Sequence, residues 1–171
     1  MNRWQVARQI KYLLANYRWS GATSGTNYVF GQNGSVHVTA GADPQAFRSL
    51  IFPVSLVRVG SAQTDPKHGE AHGLLESDFE ITLASCIKGD AIGEHALIGA
   101  NRYGGANSST GRGLLELEEV LFDVIGEINN TSGIRIKFDH SFIAKPQIFE
   151  DLGYLVYGVY TFKAKITQDR L

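Results

Sequence analysis

With 171 residues, of which 43% are hydrophobic and 19% charged, the chain suits one folded domain and excludes a globally disordered protein. Its formal net charge of -1 excludes the general attraction that draws strongly basic proteins to nucleic acid or to membrane surfaces. Cys86 is the single cysteine, so no intrachain disulfide forms, as suits a reducing compartment. The opening Met-Asn-Arg-Trp-Gln-Val lacks the apolar stretch of a secretory signal, and no apolar run approaches the roughly 20 residues that cross a bilayer.

Trp4, Ala7, Ile10, Leu14 and Tyr17 recur at helical spacing, with Val6 and Leu13 widening the stripe. This predicts an amphipathic helix over 3–18, its aromatics turned to the core and its end set by Ser20-Gly21. Residues 21–42 are rich in Gly, Ser, Thr and Asn. Within them Tyr28-Val29-Phe30 and Val36-His37-Val38 flank Gly31-Gln-Asn-Gly34, the pattern of a small hairpin. Asp43-Pro44 reads as an N-cap and first helical residue, opening one or two turns to Leu50. Residues 52–59 form a strand in which Pro53, unable to donate to a ladder, belongs at the first position or on an edge.

A polar loop is predicted over 60–75. The next strand sets Phe79, Ile81 and Leu83 on one face and Glu80, Thr82 and Ala84 on the other. A second long loop, 88–113, carries glycine at 89, 93, 99, 104, 105, 111 and 113; loops of this length are functional or disordered. Leu114, Leu117, Leu121, Val124 and Ile128 mark a second amphipathic helix over 114–128. Ile134, Ile136 and Phe138 then alternate with Arg135, Lys137 and Asp139. In the last strand Val156, Tyr160, Phe162, Ala164 and Ile166 share one face, and the opposite face is half apolar, so part of it is covered. The order is α-β-β-α-β-β. We expect a single α+β domain over 1–171: an antiparallel or mixed sheet of about four main strands, two helices packed on one face, an extra hairpin in 21–42 and two long loops.

Charge is segregated. Over residues 1–42 the only formal side-chain charges are Arg3, Arg8, Lys11 and Arg18, all positive, whereas Glu116, Glu118, Glu119, Asp123 and Glu127 stand on the second helix with no Lys or Arg between Gly113 and Gly133. The opposition suits subunits meeting side by side; two solvated helix faces would look the same. His68 and His72, with His95 or Glu70, have metal-ligand spacing, but Pro66, Gly69 and Gly73 preclude the helix that would put both histidines on one face. No G-x-S-x-G elbow is present, and Gly111-Arg112-Gly113 lacks the Lys-Ser/Thr ending of a phosphate loop. Cys86 reads as a small buried hydrophobe. Arg135, Lys137, Lys163 and Lys165 make a basic stripe if their strands pair, or simply solvent-facing cations that discourage edge aggregation.

Taken in order, these segments resemble the bacteriophage tail terminator (tail completion) family. The resemblance rests on the first helix, the strand Ile51-Phe-Pro-Val-Ser-Leu-Val-Arg-Val59 opening on Phe-Pro, the polar loop 60–75, the return strand Asp78-Phe-Glu-Ile-Thr-Leu-Ala84, the helix 114–128 and the strand Tyr154-Leu-Val-Tyr-Gly-Val-Tyr-Thr-Phe162. Segments 21–42 and 88–113 depart from the simplest members. The resemblance implies a virion structural protein, assembled in the host cytoplasm and placed at the head-proximal end of the tail, that needs neither cofactor nor metal. It implies a ring of copies, commonly six, that caps the tail tube and receives the head-tail connector or neck protein. Sheath protein is a further partner if the tail is contractile, DNA passes the lumen without specific contact, and no membrane is involved. The residues expected at subunit, tube or connector contacts are Arg3, Arg8 and Lys11 on the first helix, Asp65, Lys67, His68, Glu70 and His72 in the polar loop, Arg102 in the glycine-rich loop, and Glu116, Glu119 and Asp123 on the second helix. The alternatives are another neck component, such as a head-tail stopper, and a small metal-dependent enzyme using His68, His72 and His95.

Overall fold

The two most regular alternations in the sequence become the two longest strands, and they pair with each other. In the structure, a computed structural model that describes residues 2–18, 28–30, 35–41, 44–64, 74–88, 90, 92–99, 112–132 and 134–167, β3 (Leu74–Ile87) and β6 (Gly153–Thr167) run antiparallel from Leu74↔Thr167 to Ile87↔Tyr154. Strand β2 (Val54–Thr64) pairs antiparallel with the other side of β3. Strand β1 (Val36–Thr39) adds to β2 in parallel. Strand β4 (Arg135–Ile143) and the short β5 (Gln147–Phe149) follow one another along the far side of β6. The result is a six-stranded mixed sheet in the order β1-β2-β3-β6-β4.

Among the described residues, three α-helices occupy one face. In α1 (Arg3–Asn16) the Asn2 side chain accepts the Gln5 N–H, and the Gln5 side chain accepts the Asn2 N–H, a reciprocal cap that closes the N-terminus. The short α2 (Glu94–Ile98) is held by Asp90, whose carboxylate accepts the N–H groups of Gly93 and Ala96. The long α3 (Leu114–Thr131) is tied at its far end to β4, because the Asn129 amide both donates to Ile136 O and accepts from Ile136 N–H. Val6, Ile10 and Leu14 of α1 and Leu117, Leu121, Val124 and Ile128 of α3 close over Val57, Phe79, Ile81, Leu83, Tyr160 and Phe162 in one core. Each large apolar side chain fully buried there contributes about 1.5–3 kcal/mol. The other face carries a smaller cluster, in which Phe47 of the 3-10 helix Pro44–Ser49 and Phe149 of β5 pack on Val54, Leu56, Ala84 and Leu155. That cluster covers one end of the helix-free face, as the half-apolar pattern of β6 anticipates.

Several expectations need correction. Residues 28–30 and 36–38 do not form a hairpin: Val36–Thr39 pairs with β2, and Tyr28 bridges Arg18. The alternation of Val36 suited β2 as well, and there its side chain joins the main core. Residues 60–64 and 74–75, expected as loop, belong to β2 and β3, whose ladder continues past a bulge between Val59 and Ala62. The stretch expected as loop over 88–113 contains α2. Pro53 lies just before β2, which is an inner strand. The first helix ends at Asn16, where Tyr17 turns extended, and Trp4 is 53% exposed instead of joining the core. The turn 31–34, Asp43 and residues 65–73 and 100–111 lie outside the described residues. The sheet has six strands against the expected four or so, and a third, short helix.

Glycine is required where α2 meets α3. Gly99 has φ of 96°, and a Cβ on Gly113 would stand 2.2 Å from Gly99 N. The two backbones touch, with nothing between them.

Candidate assembly surfaces

The first surface is formed by α1 and α3. Helix α1 lies over β1 and β2 and α3 over β3, β6 and β4, so the two run side by side in one chain. Tyr17 Oη donates to Asp123 Oδ2 at 2.6 Å. That bond first, then burial and the carboxylates of Asp123, Glu119 and Glu127, holds the phenol up at about 12. Of the cations on α1, Arg3 is turned inward, donating to Ser77 Oγ and to Gly60 O and so tying the helix to the β2–β3 bulge. Arg8 is exposed, its guanidinium 5.2 Å above the exposed ring of Trp4. Lys11 is exposed on the β1 side, where its charge adds to burial in lowering the pKa of His37.

Among the predicted anions, Glu116 is used at the start of α3, accepting the Gly113 N–H at 3.1 Å and pairing with Arg112 at 3.4 Å. Asp123 is taken by Tyr17, while Glu119 is exposed. Glu118 accepts from the buried Tyr160 hydroxyl at 2.7 Å; burial and this bond push the phenol well above its ordinary range. Asp65, Lys67, His68, Glu70, His72 and Arg102 lie outside the described residues, and His95 is exposed on α2.

The second surface is the open part of the helix-free sheet face. Strands β4 and β6 do pair, and they set Arg135 opposite Lys165 and Lys137 opposite Lys163. On the other side of β6, Glu76 faces Lys165 and Asp78 faces Lys163. Lys163 also reaches Asp139 at 3.5 Å, in the β4 bulge. The hydrogen bond with His140, helped by the charge of Lys163, lowers the Asp139 carboxyl against the opposing effect of desolvation. Further along the strands, a hollow of about 360 Å³ is walled by Phe47, Phe142, Tyr157 and Val159, with the Arg58–Glu80 pair (3.5 Å) at its rim.

The third surface is the β4 edge, which closes the sheet on that side. Phe138, Phe142 and Ile143 are exposed there, and Phe122 of α3 stacks edge-on against Phe138 at 5.4 Å. Large apolar side chains grouped on an exposed strand edge mark an interaction site or an aggregation hazard. Phe142 and Ile143 escape a reading of the sequence because the bulge at Asp139 breaks the alternation within β4.

No protein-family model and no curated protein matches the chain. Among the described residues no three His, Cys, Asp or Glu are grouped to hold a metal ion, and no helix is long and apolar enough to cross a membrane. The Cys86 thiol is pushed up to about 11, chiefly by burial, so at neutral pH it is not a thiolate nucleophile.

Proposed function

We propose that the protein is a virion structural protein of the tail terminator type. Copies form a ring, six being the common number, that caps the phage tail tube, ends its growth and offers a surface to the head-tail connector. The observation that carries this reading is the β4 edge with the sheet face beside it. A helix-bearing side buries the core, while the β4 edge keeps Phe138, Phe142 and Ile143 exposed and the opposite face carries a block of cations. Surfaces of that kind serve assembly. The order α1, a strand entered through Phe52-Pro53, a return strand, α3 and two terminal strands adds support, since it is the order on which the resemblance rests. The partners are other copies, the tube protein, the neck or connector protein, sheath protein in a contractile tail, and DNA only in passage.

The test is to mix the full chain with assembled tail tubes and image the tube ends by negative stain. Rings seated at one tube end, with tube elongation stopped, are the expected result. A chain that stays monomeric and leaves both tube ends bare refutes the reading.

A further inference from the structure

We infer that the helix-free sheet face of one copy receives the exposed acidic face of α3 from a second copy. This rests on the ring reading and names the surfaces that meet in it. The charges of α1 and α3 do not satisfy one another: among the described residues no ion pair joins the two helices. Glu119 and Glu127 are exposed on α3 without a cation partner among the described residues, and Arg135 and Lys137 are exposed on β4 without an anion partner there. Across the sheet Arg135 stands opposite Lys165 and Lys137 opposite Lys163. The β6 lysines are met within the chain, Lys163 by Asp139, with Asp78 and Glu76 facing Lys163 and Lys165 from β3, so the cations left for a partner are those of β4.

Spacing and shape agree. Two residues along a strand separate Arg135 from Lys137 by about 7 Å. Glu119 and Glu127, the carboxylates left free by the Tyr17–Asp123 bond, are eight residues apart on α3, about 12 Å, within reach of the long, flexible side chains of Arg135 and Lys137. Beside its acids α3 exposes Leu115 and Phe122, and beside the cations lies the hollow walled by Phe47, Phe142 and Tyr157. The geometry of closure follows. The α3 surface and the helix-free face lie on opposite sides of the sheet, so the contact runs from the front of one copy to the back of the next. Self-pairing of either patch would oppose like charges. A heterologous contact of this sort closes into a ring when its rotation permits.

The test uses two full-length variants, Arg135→Glu with Lys137→Glu, and Glu119→Lys with Glu127→Lys, followed by mass photometry at low salt, alone and on tail tubes. Each variant alone should lose self-association at least tenfold while melting at the wild-type temperature. An equimolar mixture should recover it, since every contact in an alternating ring is then between opposite charges. Assembly should also weaken as salt rises. A charge-reversed variant that assembles like wild type overturns the inference and leaves the ring reading standing, as does a mixture that stays dissociated. Loss of duplex DNA binding in Arg135→Glu with Lys137→Glu, assembly being intact, overturns it too and assigns the cations to phosphate. Wild-type protein that stays monomeric even on tail tubes defeats the ring reading itself.

Discussion

The same substitution at two glycines should have opposite effects. In Gly113→Ala the new Cβ would lie 2.2 Å from Gly99 N, 2.5 Å from Ile98 C and 2.6 Å from Leu97 O. Comfortable carbon contacts begin near 3.5 Å, so the backbones must part by about 1 Å or more. All three neighbours are main-chain atoms and none can rotate away. Parting them strains the Gly99 N–H bond to His95 O, the Gly113 N–H bond to Glu116 and the bond from Ser85 Oγ to Arg112 O. Overpacking costs about 1–3 kcal/mol and one lost hydrogen bond about 1, for a total of about 2–4 kcal/mol. For a domain of this size that lowers the melting temperature by about 5–15 °C. Gly126 lies inside α3 with nothing within 4 Å of its would-be Cβ, so Gly126→Ala relieves the entropic cost of glycine in a helix. The gain is about 0.5–1 kcal/mol, or about 1–4 °C. The assay is thermal unfolding followed by circular dichroism. Gly113→Ala melting with wild type, or Gly126→Ala melting below it, would refute this account of the α2–α3 crossing.

Three further outcomes are expected. Phe79→Ala and Leu117→Ala, both fully buried, should each cost about 2–5 kcal/mol by urea unfolding, and a loss under about 1 kcal/mol would mean that their sites are not packed. Tyr17, held up at about 12 against an ordinary 10.0, keeps its proton in the folded chain where the unfolded chain releases it. Its contribution is therefore complete below pH 10 and is lost as pH rises from 10 through 12, so the urea midpoint should fall over that window and fall less in Tyr17→Phe. Coincident profiles for the two proteins would count against the Tyr17–Asp123 bond. Exhaustive EDTA treatment should leave the melting temperature of the full chain unchanged; a drop would point to a metal held by His68, His72 and His95.

What the sequence makes legible follows from which interactions are local in period. The alternation of Phe79, Ile81 and Leu83, and of Tyr160, Phe162 and Ala164, identifies two strands buried on one face, and the spacing of Leu114, Leu117, Leu121 and Val124 identifies α3. Each pattern needs only one element to be read. Pairing is different, because Val36-His37-Val38 has the same alternation whether its partner is residue 28 or residue 55. The Asn-Gly turn favours the nearer partner, and the folded chain chooses β2, where Val36 joins the core. Length was misjudged for a related reason. Gln63, Thr64 and Glu76 carry no hydrophobic signal, yet the β2–β3 ladder resumes through them beyond the bulge at Gly60 and Ser61.

The charges show the same division between what is local and what is not. That α1 is basic and α3 acidic is plain from the residues, but the sheet order alone makes them neighbours and turns Lys11 toward β1. A pairing of α1 with α3 across subunits loses much of its basis once Asp123 is engaged by Tyr17 and Arg3 by Ser77 within one chain. Among the described residues Glu119 and Glu127 stand without an ion pair above one face, beside the exposed Arg8 and Lys11 of α1, and Arg135 and Lys137 stand without one beneath the other. The stripe of Arg135, Lys137, Lys163 and Lys165 was visible in the sequence only as a condition on strand pairing, and β4 lying beside β6 meets that condition. With the acids of α3 on one side of the sheet and the free cations of β4 on the other, these two patches are complementary front to back. Such a body adds to itself in one direction, and the angle between successive copies decides whether the chain of contacts closes into a ring.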